Sequence, residues 1–172
     1  RTPAIVMAHA FVTGCAASDS ERDLKIGGVD SIGGDTFGEA IDYVALGHLH
    51  GPQRVGGQTD GPSRMRYSGS PLPFSFSEMH HTKSSVLLDF TGGALVSTEL
   101  VATPVPRRLS EVRGSLDELA GRTFEAKRDD WVRVTVVEPS RPQNMNQLVK
   151  EMFPHALEIK LEFTGGETAT TG

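Results

Sequence analysis

A chain of 172 residues that is 37% hydrophobic, with 19 glycines and 10 prolines, has enough apolar material for a packed core and too little Gly and Pro for a low-complexity polymer. A formal net charge of −5 argues against a protein that acts by coating nucleic-acid phosphates over its whole surface, although most of the acidic excess lies before residue 101 and residues 101–163 are balanced. The single cysteine, Cys15, rules out an internal disulfide, no apolar run approaches the roughly 18 residues of a membrane helix, and no charged-then-apolar leader opens the chain, so a soluble cytoplasmic protein with no membrane partner is expected.

In chain order, Ala4 to Ala8 reads as a short buried strand that runs directly into His9, which implies a sheet contributed by residues before it. From Gly14 to Asp35 the composition is polar and Gly-rich, a long loop with one short strand around Leu24-Lys25-Ile26. Phe37 to Ile41 suits one helical turn, and Tyr43-Val44-Ala45-Leu46 is a β-type apolar run ending at Gly47. Short strands follow at Gln53 to Val55, Met65 to Tyr67, Ser84 to Phe90 and Ala94 to Val101, with Thr91-Gly92-Gly93 as the hairpin turn between the last two.

Two prolines in Thr103-Pro104-Val105-Pro106 bar regular sheet pairing, which puts a linker at 104–106 between a first domain at 1–103 and a second at 107–163, with a frayed tail at 164–172. The second domain reads as a strand near Leu109 to Val112, a short helix opened by a Ser115/Glu118 capping box, and an alternating strand from Trp131 to Val137. A helix follows with Met145, Leu148, Val149 and Met152 on one face, and then a final alternating strand from Ala156 to Phe163. That order is β-α-β-α-β, a small α+β module, and the whole chain falls in the α/β class. Trp131 and the Met145 to Met152 stripe are expected in its core.

The segment Tyr43 to Gly51 carries the most chemistry, because an apolar strand delivers His48 and His50, flanked by Gly47 and Gly51, to its C-terminal end, where sites on such sheets are built. Neutral imidazole suits manganese, iron or zinc, and flanking glycines allow the sharp backbone turn that would aim both rings at one place. The plain alternative is that one histidine caps a turn and the other lies on the surface. His9 also terminates an apolar strand, whereas His80, His81 and His155 sit in polar or Pro-adjacent contexts and are not expected as ligands. Asp30, Asp35, Asp42 and Asp60 read as turn or surface carboxylates, Ser68 and Ser70 as turn hydroxyls and Cys15 as an incidental thiol. Arg107, Arg108, Arg113, Arg122, Lys127, Arg128 and Arg133 could form a local phosphate-contacting face or a salt-bridged surface.

Four segments together carry a resemblance: Ala8-His9-Ala10-Phe11-Val12, the run from Asp42 to Pro52, Tyr67-Ser68-Gly69-Ser70-Pro71-Leu72 with Phe76-Ser77-Glu78, and Trp131-Val132-Arg133-Val134. Over nearly the whole chain it resembles the C-terminal two thirds of the SbcD-type nuclease subunits, members of the calcineurin-like metallophosphoesterase superfamily. The Gly-His-x-His box alone would indicate only the superfamily. The resemblance implies part of a metallophosphoesterase β-sandwich followed by a small DNA-capping domain. It implies a site with two divalent metal ions, usually manganese, in which His9 and His48 ligate one ion and His50 the other. Two such ions would bind and polarise the scissile phosphate.

The resemblance further implies a 3′–5′ double-strand exonuclease and single-strand endonuclease acting on DNA ends and hairpins, in repair and recombination. Its partners would be the SbcC ATPase subunit and a second copy of the nuclease subunit within a heterotetramer. The family's earlier boxes, an Asp-x-His, a Gly-Asp with the bridging carboxylate and a Gly-Asn-His, have no counterpart in these residues. The chain alone is therefore expected to bind metal weakly or not at all and to be inactive. Two other readings stay open: a metallophosphoesterase for small phosphodiesters or nucleotides, and a noncatalytic DNA- or ATPase-docking module that contacts a duplex through Arg107 and Arg108.

Overall fold

The computed structural model describes residues 1–19, 21, 31–56 and 63–164, and the strand expected at Leu24 to Ile26, together with Asp30, Asp60 and most of the tail, lies outside them. The chain divides into two compact units, Arg1–Val105 and Pro106–Gly172.

In the first unit, β1 (Ile5–His9), β2 (Tyr43–Gly47), β3 (Gln53–Arg54) and β4 (Met65–Tyr67) form one sheet in the order β1-β2-β4-β3. The first three in that order run parallel, and β3 closes the far edge antiparallel to β4. The register of β1 on β2 runs from Ile5 opposite Tyr43 to His9 opposite Gly47, so both strands end at the same level. β2 is the buried strand, with Tyr43, Val44 and Leu46 almost wholly enclosed.

β1 departs from the expected buried strand. Among the described residues it lies at the edge of the sheet with alternate side chains exposed, Met7 being 86% exposed, and only Val6 and Ala8 turn inward. The turn expected at Phe37 to Ile41 comes earlier, as a single 3-10 turn over Gly34–Phe37 that closes when Gly38 N–H donates to the Asp35 carbonyl. A short acidic residue early in a Gly-flanked segment is better placed to start a turn than the later β-branched Ile41.

The core of this unit joins Val12, Val44, Leu46, Leu49 and Tyr67. Tyr67 fastens the loop after β1 to β4, since its phenol accepts from Val12 N–H at 2.9 Å and donates to the Ala10 carbonyl at 2.7 Å. Both backbone groups are thereby satisfied away from water. β5 (Ser84–Thr91) and β6 (Ala94–Ala102) make a separate two-stranded antiparallel hairpin, with Thr91 opposite Ala94 across the Gly92-Gly93 turn.

In the second unit β7 (Leu109–Gly114), β8 (Trp131–Glu138) and β9 (Ala156–Phe163) form an all-parallel sheet in chain order, joined through α1 (Leu116–Ala120) and α2 (Met145–Met152). The capping box is formed in both directions: Glu118 N–H donates to the Ser115 hydroxyl at 3.2 Å, and Ser115 N–H donates to the Glu118 carboxylate at 2.8 Å. Val132, Val134 and Val136 of β8 are wholly buried against Leu119, Met145, Val149 and Phe153. The intervening Arg133 reaches across the other face to Glu111 on β7 and Glu158 on β9. One face is thus apolar and covered, and the other carries an acid–base–acid row across three strands.

Three expectations for this unit need correction. β9 does not alternate simply, because a register shift beside β8 leaves Leu157 58% exposed while Ala156, Ile159 and Leu161 turn toward the core. On α2, Met145 and Val149 are buried, but Leu148 is 39% exposed, since eight helical residues pack only one narrow stripe on a three-stranded sheet. Trp131 is not a core residue. It opens β8 at a position whose side chain alternates away from Val132, so it stands 38% exposed. The Arg107 guanidinium lies 4.8 Å from its ring centroid, and His155 meets it edge-on at 5.3 Å.

Histidines at two strand ends and a buried ion pair

Because β1 and β2 are parallel and in register at their ends, His9 and the residues after Gly47 emerge side by side. The His9 and His48 rings stand edge to face with centroids 5.3 Å apart, and Phe11 flanks the His48 ring at 6.5 Å. Gly47 allows this approach, since a Cβ there would sit 3.1 Å from His9 Nδ1. His48 itself holds φ at +105°, in a region that side-chain-bearing residues avoid. Immediately after it Leu49 turns back into the core, only 2% exposed, which anchors the loop between the two histidines.

His50 is held differently. Its Nδ1 lies 3.1 Å from Glu78 Oε1, its ring meets Phe74 edge-on at 5.4 Å, and its backbone N–H donates to Glu21 at 2.5 Å. Burial pushes the Glu21 carboxyl up, but hydrogen bonds from His50 and Ser18 outweigh that and hold it below its ordinary value.

Glu78 and Lys83 are fully buried and paired at 2.5 Å. Lys83 Nζ also donates to Ser70 Oγ at 2.9 Å and to the His50 carbonyl at 3.1 Å, so three acceptors meet the three N–H bonds of one ammonium. Glu78 accepts further from Ser70 and Ser75 at 3.3 Å each. Ser70 N–H reaches the same His50 carbonyl at 3.1 Å, across an approach that only a glycine at 69 permits: φ there is +85°, and a Cβ would fall 2.8 Å from that carbonyl.

Sequence reasoning singled out His9, His48 and His50 but not the Glu78–Lys83 pair. Ser70, Glu78 and Lys83 lie in a stretch broken by Pro71 and Pro73, without the periodicity that marks burial. Among the described residues, no group of three or more His, Cys, Asp and Glu is arranged to hold a metal ion. The two rings already adjacent are those of His9 and His48.

The other candidates have structural partners. Asp42 pairs with Arg1 and accepts from Ala4 N–H at 2.8 Å, a backbone bond that, with Arg1, holds its carboxyl below the ordinary range. Cys15 packs against the core, and burial raises its thiol. Arg113 is paired with Glu162, and Arg133 with Glu111 and Glu158, which makes that part of the basic set a salt-bridged surface. Arg107 and Arg108 lie just before β7, Arg107 against Trp131, and the Arg108 carbonyl accepts from Trp131 N–H at 2.8 Å.

Fold and geometry together define an α/β protein with histidines converging at two strand ends of one unit and a compact β-α-β-α-β module as the other. Residues 105–171 match the family model described as the type 5 capsule protein repressor C-terminal domain, SbcD_C. The chain is 36% identical over 120 residues to the SbcD subunit of the SbcCD nuclease of Escherichia coli K12, covering 70% of this chain and 29% of that protein. It is 30% identical over 156 residues to the Staphylococcus epidermidis SbcD protein, covering 90% and 40%. To the Bacillus subtilis SbcD protein it is 38% identical over 145 residues, covering 78% and 36%. The chain belongs to the SbcD family and carries that family's C-terminal domain. The matches span between 29% and 40% of the length of these relatives, a smaller share than the two thirds that the resemblance led us to expect.

Proposed function

We propose that the chain is part of the nuclease subunit of an SbcC–SbcD complex, a metal-dependent phosphodiesterase acting on DNA in repair and recombination, and that His9, His48 and His50 are metal ligands. The observation that carries this is the convergence of His9 and His48 from two strand ends to 5.3 Å between ring centroids. Two neutral imidazoles at that separation can share one divalent transition-metal cation, and manganese is the choice the family resemblance implies rather than one the two nitrogen donors select. The strained φ of His48 is a cost expected where a site, rather than packing, dictates the backbone.

When bound, a divalent pair would supply Lewis acidity to the scissile phosphate and lower the pKa of a bound water. The chain's own contribution is placement. Leu49 and the Tyr67 bridge fix the two loops, and Gly47 admits the His9 ring. With no third carboxylate or imidazole gathered around His9 and His48 among the described residues, the isolated chain would hold a cation weakly and cleave nothing. Residues 107–163 would contact the duplex, with Arg107 and Arg108 at phosphates. The exposed Trp131 beneath Arg107 favours this reading over a small-phosphodiester enzyme, which has no use for a second module with an aromatic-cation surface.

Manganese-dependent degradation of a linear duplex tests the proposal. In the complete nuclease subunit, His9→Ala, His48→Ala and His50→Ala should each lower the rate by at least about 100-fold, on the scale of losing a metal's electrostatic contribution. Undiminished cleavage by His48→Ala would overturn the ligand assignment. Robust cleavage by the isolated chain would overturn the claim that its site is incomplete.

A further inference from the structure

We propose that the buried Glu78–Lys83 pair is a positioning device that holds His50 in one tautomer, with the proton on Nδ1 and the lone pair on Nε2. Glu78 Oε1 lies 3.1 Å from Nδ1, and its other oxygen is held by Lys83 at 2.5 Å. A carboxylate paired with an ammonium has no proton to give, so in the contact with neutral imidazole the ring nitrogen donates. The proton is then on Nδ1, and Nε2 is the nitrogen with a lone pair for a cation.

The same lysine fixes the residue at its backbone. Lys83 Nζ donates to the His50 carbonyl at 3.1 Å, as does Ser70 N–H at 3.1 Å, so ring and main chain of one histidine are tied to a single ammonium. Both members of the pair are sealed from solvent, and a buried pair can be replaced by apolar groups at little cost to stability or even with a gain. Packing alone therefore gives no reason to have it, whereas orienting a ligand histidine does. Histidines that bind metals characteristically donate their second ring N–H to such an acceptor. This inference deepens the proposed metal site and rests on it for its purpose, but not for its test.

The test reads the His50 ring nitrogens by 15N NMR in the metal-free chain over a pH series, in the alkaline plateau where the ring signals no longer change with pH. The expected result is Nδ1 in the protonated range and Nε2 in the unprotonated range; the opposite tautomer, or an averaged pair, overturns the proposal. Two double variants, neither of which leaves a buried charge unpaired, separate positioning from a structural role. Glu78→Gln with Lys83→Met retains a carbonyl acceptor and should keep the Nδ1–H tautomer. Glu78→Ala with Lys83→Met should lose it and raise the manganese concentration needed to broaden the His50 ring signals by about tenfold or more. An unchanged tautomer in the second variant overturns the proposal. The predicted tautomer together with a His50 that never senses manganese in the complete nuclease subunit would sink the metal reading while leaving the positioning intact.

Discussion

His48 reaches the His9 ring while holding its own backbone at φ +105°, so the contact at 5.3 Å between centroids is made from a conformation that costs the chain stability. Substitution separates that cost from the ring contact. His48→Gly and His48→Ala both remove the imidazole, but only glycine tolerates the positive φ. Glycine should therefore be the more stable by about 1–2 kcal/mol, the reverse of the usual order. Paired chemical denaturation curves measure the difference, and an alanine variant equal to or above the glycine variant would show that the backbone there is unstrained.

Tyr67 ties the loop that follows His9 to β4 through two hydrogen bonds, one buried and one partly buried. Tyr67→Phe keeps the ring and orphans Val12 N–H and the Ala10 carbonyl, for an expected loss of about 1–3 kcal/mol. Burial raises the phenol's pKa, so the hydroxyl stays protonated and the bridge intact through neutral pH. Equilibrium denaturation reports the loss, and a variant within a few tenths of a kcal/mol of the parent would mean the two backbone groups find other partners.

The acid–base–acid row across β7, β8 and β9 gives the second unit a defined pH response. Hydrogen bonding to Arg133 holds the Glu158 carboxyl below its ordinary value of 4.5, and Arg113 does the same for Glu162. A carboxylate with a lowered folded-state pKa stabilises the fold fully above its unfolded value. That contribution is lost as pH falls below 4.5 through the folded value. Trp131 is the only tryptophan and lies in this unit, so its fluorescence follows the transition. Glu158→Gln should flatten the decline in stability between about pH 5 and 3, and an identical slope in parent and variant would contradict the assignment.

Arg107 and Arg108 are the basic residues proposed to meet DNA phosphates. Replacing both with alanine should weaken duplex binding and make the dependence of log affinity on log salt shallower by up to about 2. Fluorescence anisotropy of a labelled duplex across a salt series measures both. An unchanged slope would place the phosphate contacts elsewhere.

Much of this architecture is legible in the sequence, for reasons visible in particular residues. β2 and β4 announce themselves because Tyr43 to Leu46 and Met65 to Tyr67 are β-rich runs bounded by glycine, arginine or serine, and the Ser115/Glu118 box fixes the start of α1. β8 keeps a strict alternation at Val132, Val134 and Val136, all buried. What is not legible depends on register or on distance. The shift beside Leu157 leaves no mark in composition, and Trp131 looks apolar enough for a core it does not enter.

The same limit governs the site. His9, His48 and His50 stand out because each follows an apolar strand, a local pattern. Glu78 and Lys83 become buried only because the Ser70 segment and the start of β5 converge on the His50 carbonyl, a relationship with no one-dimensional signature.

The central claim is that imidazoles from two strand ends serve one cation centre, and manganese titration of the chain watched through its histidine ring resonances tests it most directly. The account predicts that His9, His48 and His50 broaden first, at manganese concentrations that leave His155 sharp, whereas His81, whose ring packs against Gly51 beside His50, follows His50. Broadening of all six rings together, or of His80 and His81 ahead of His9 and His48, would contradict it.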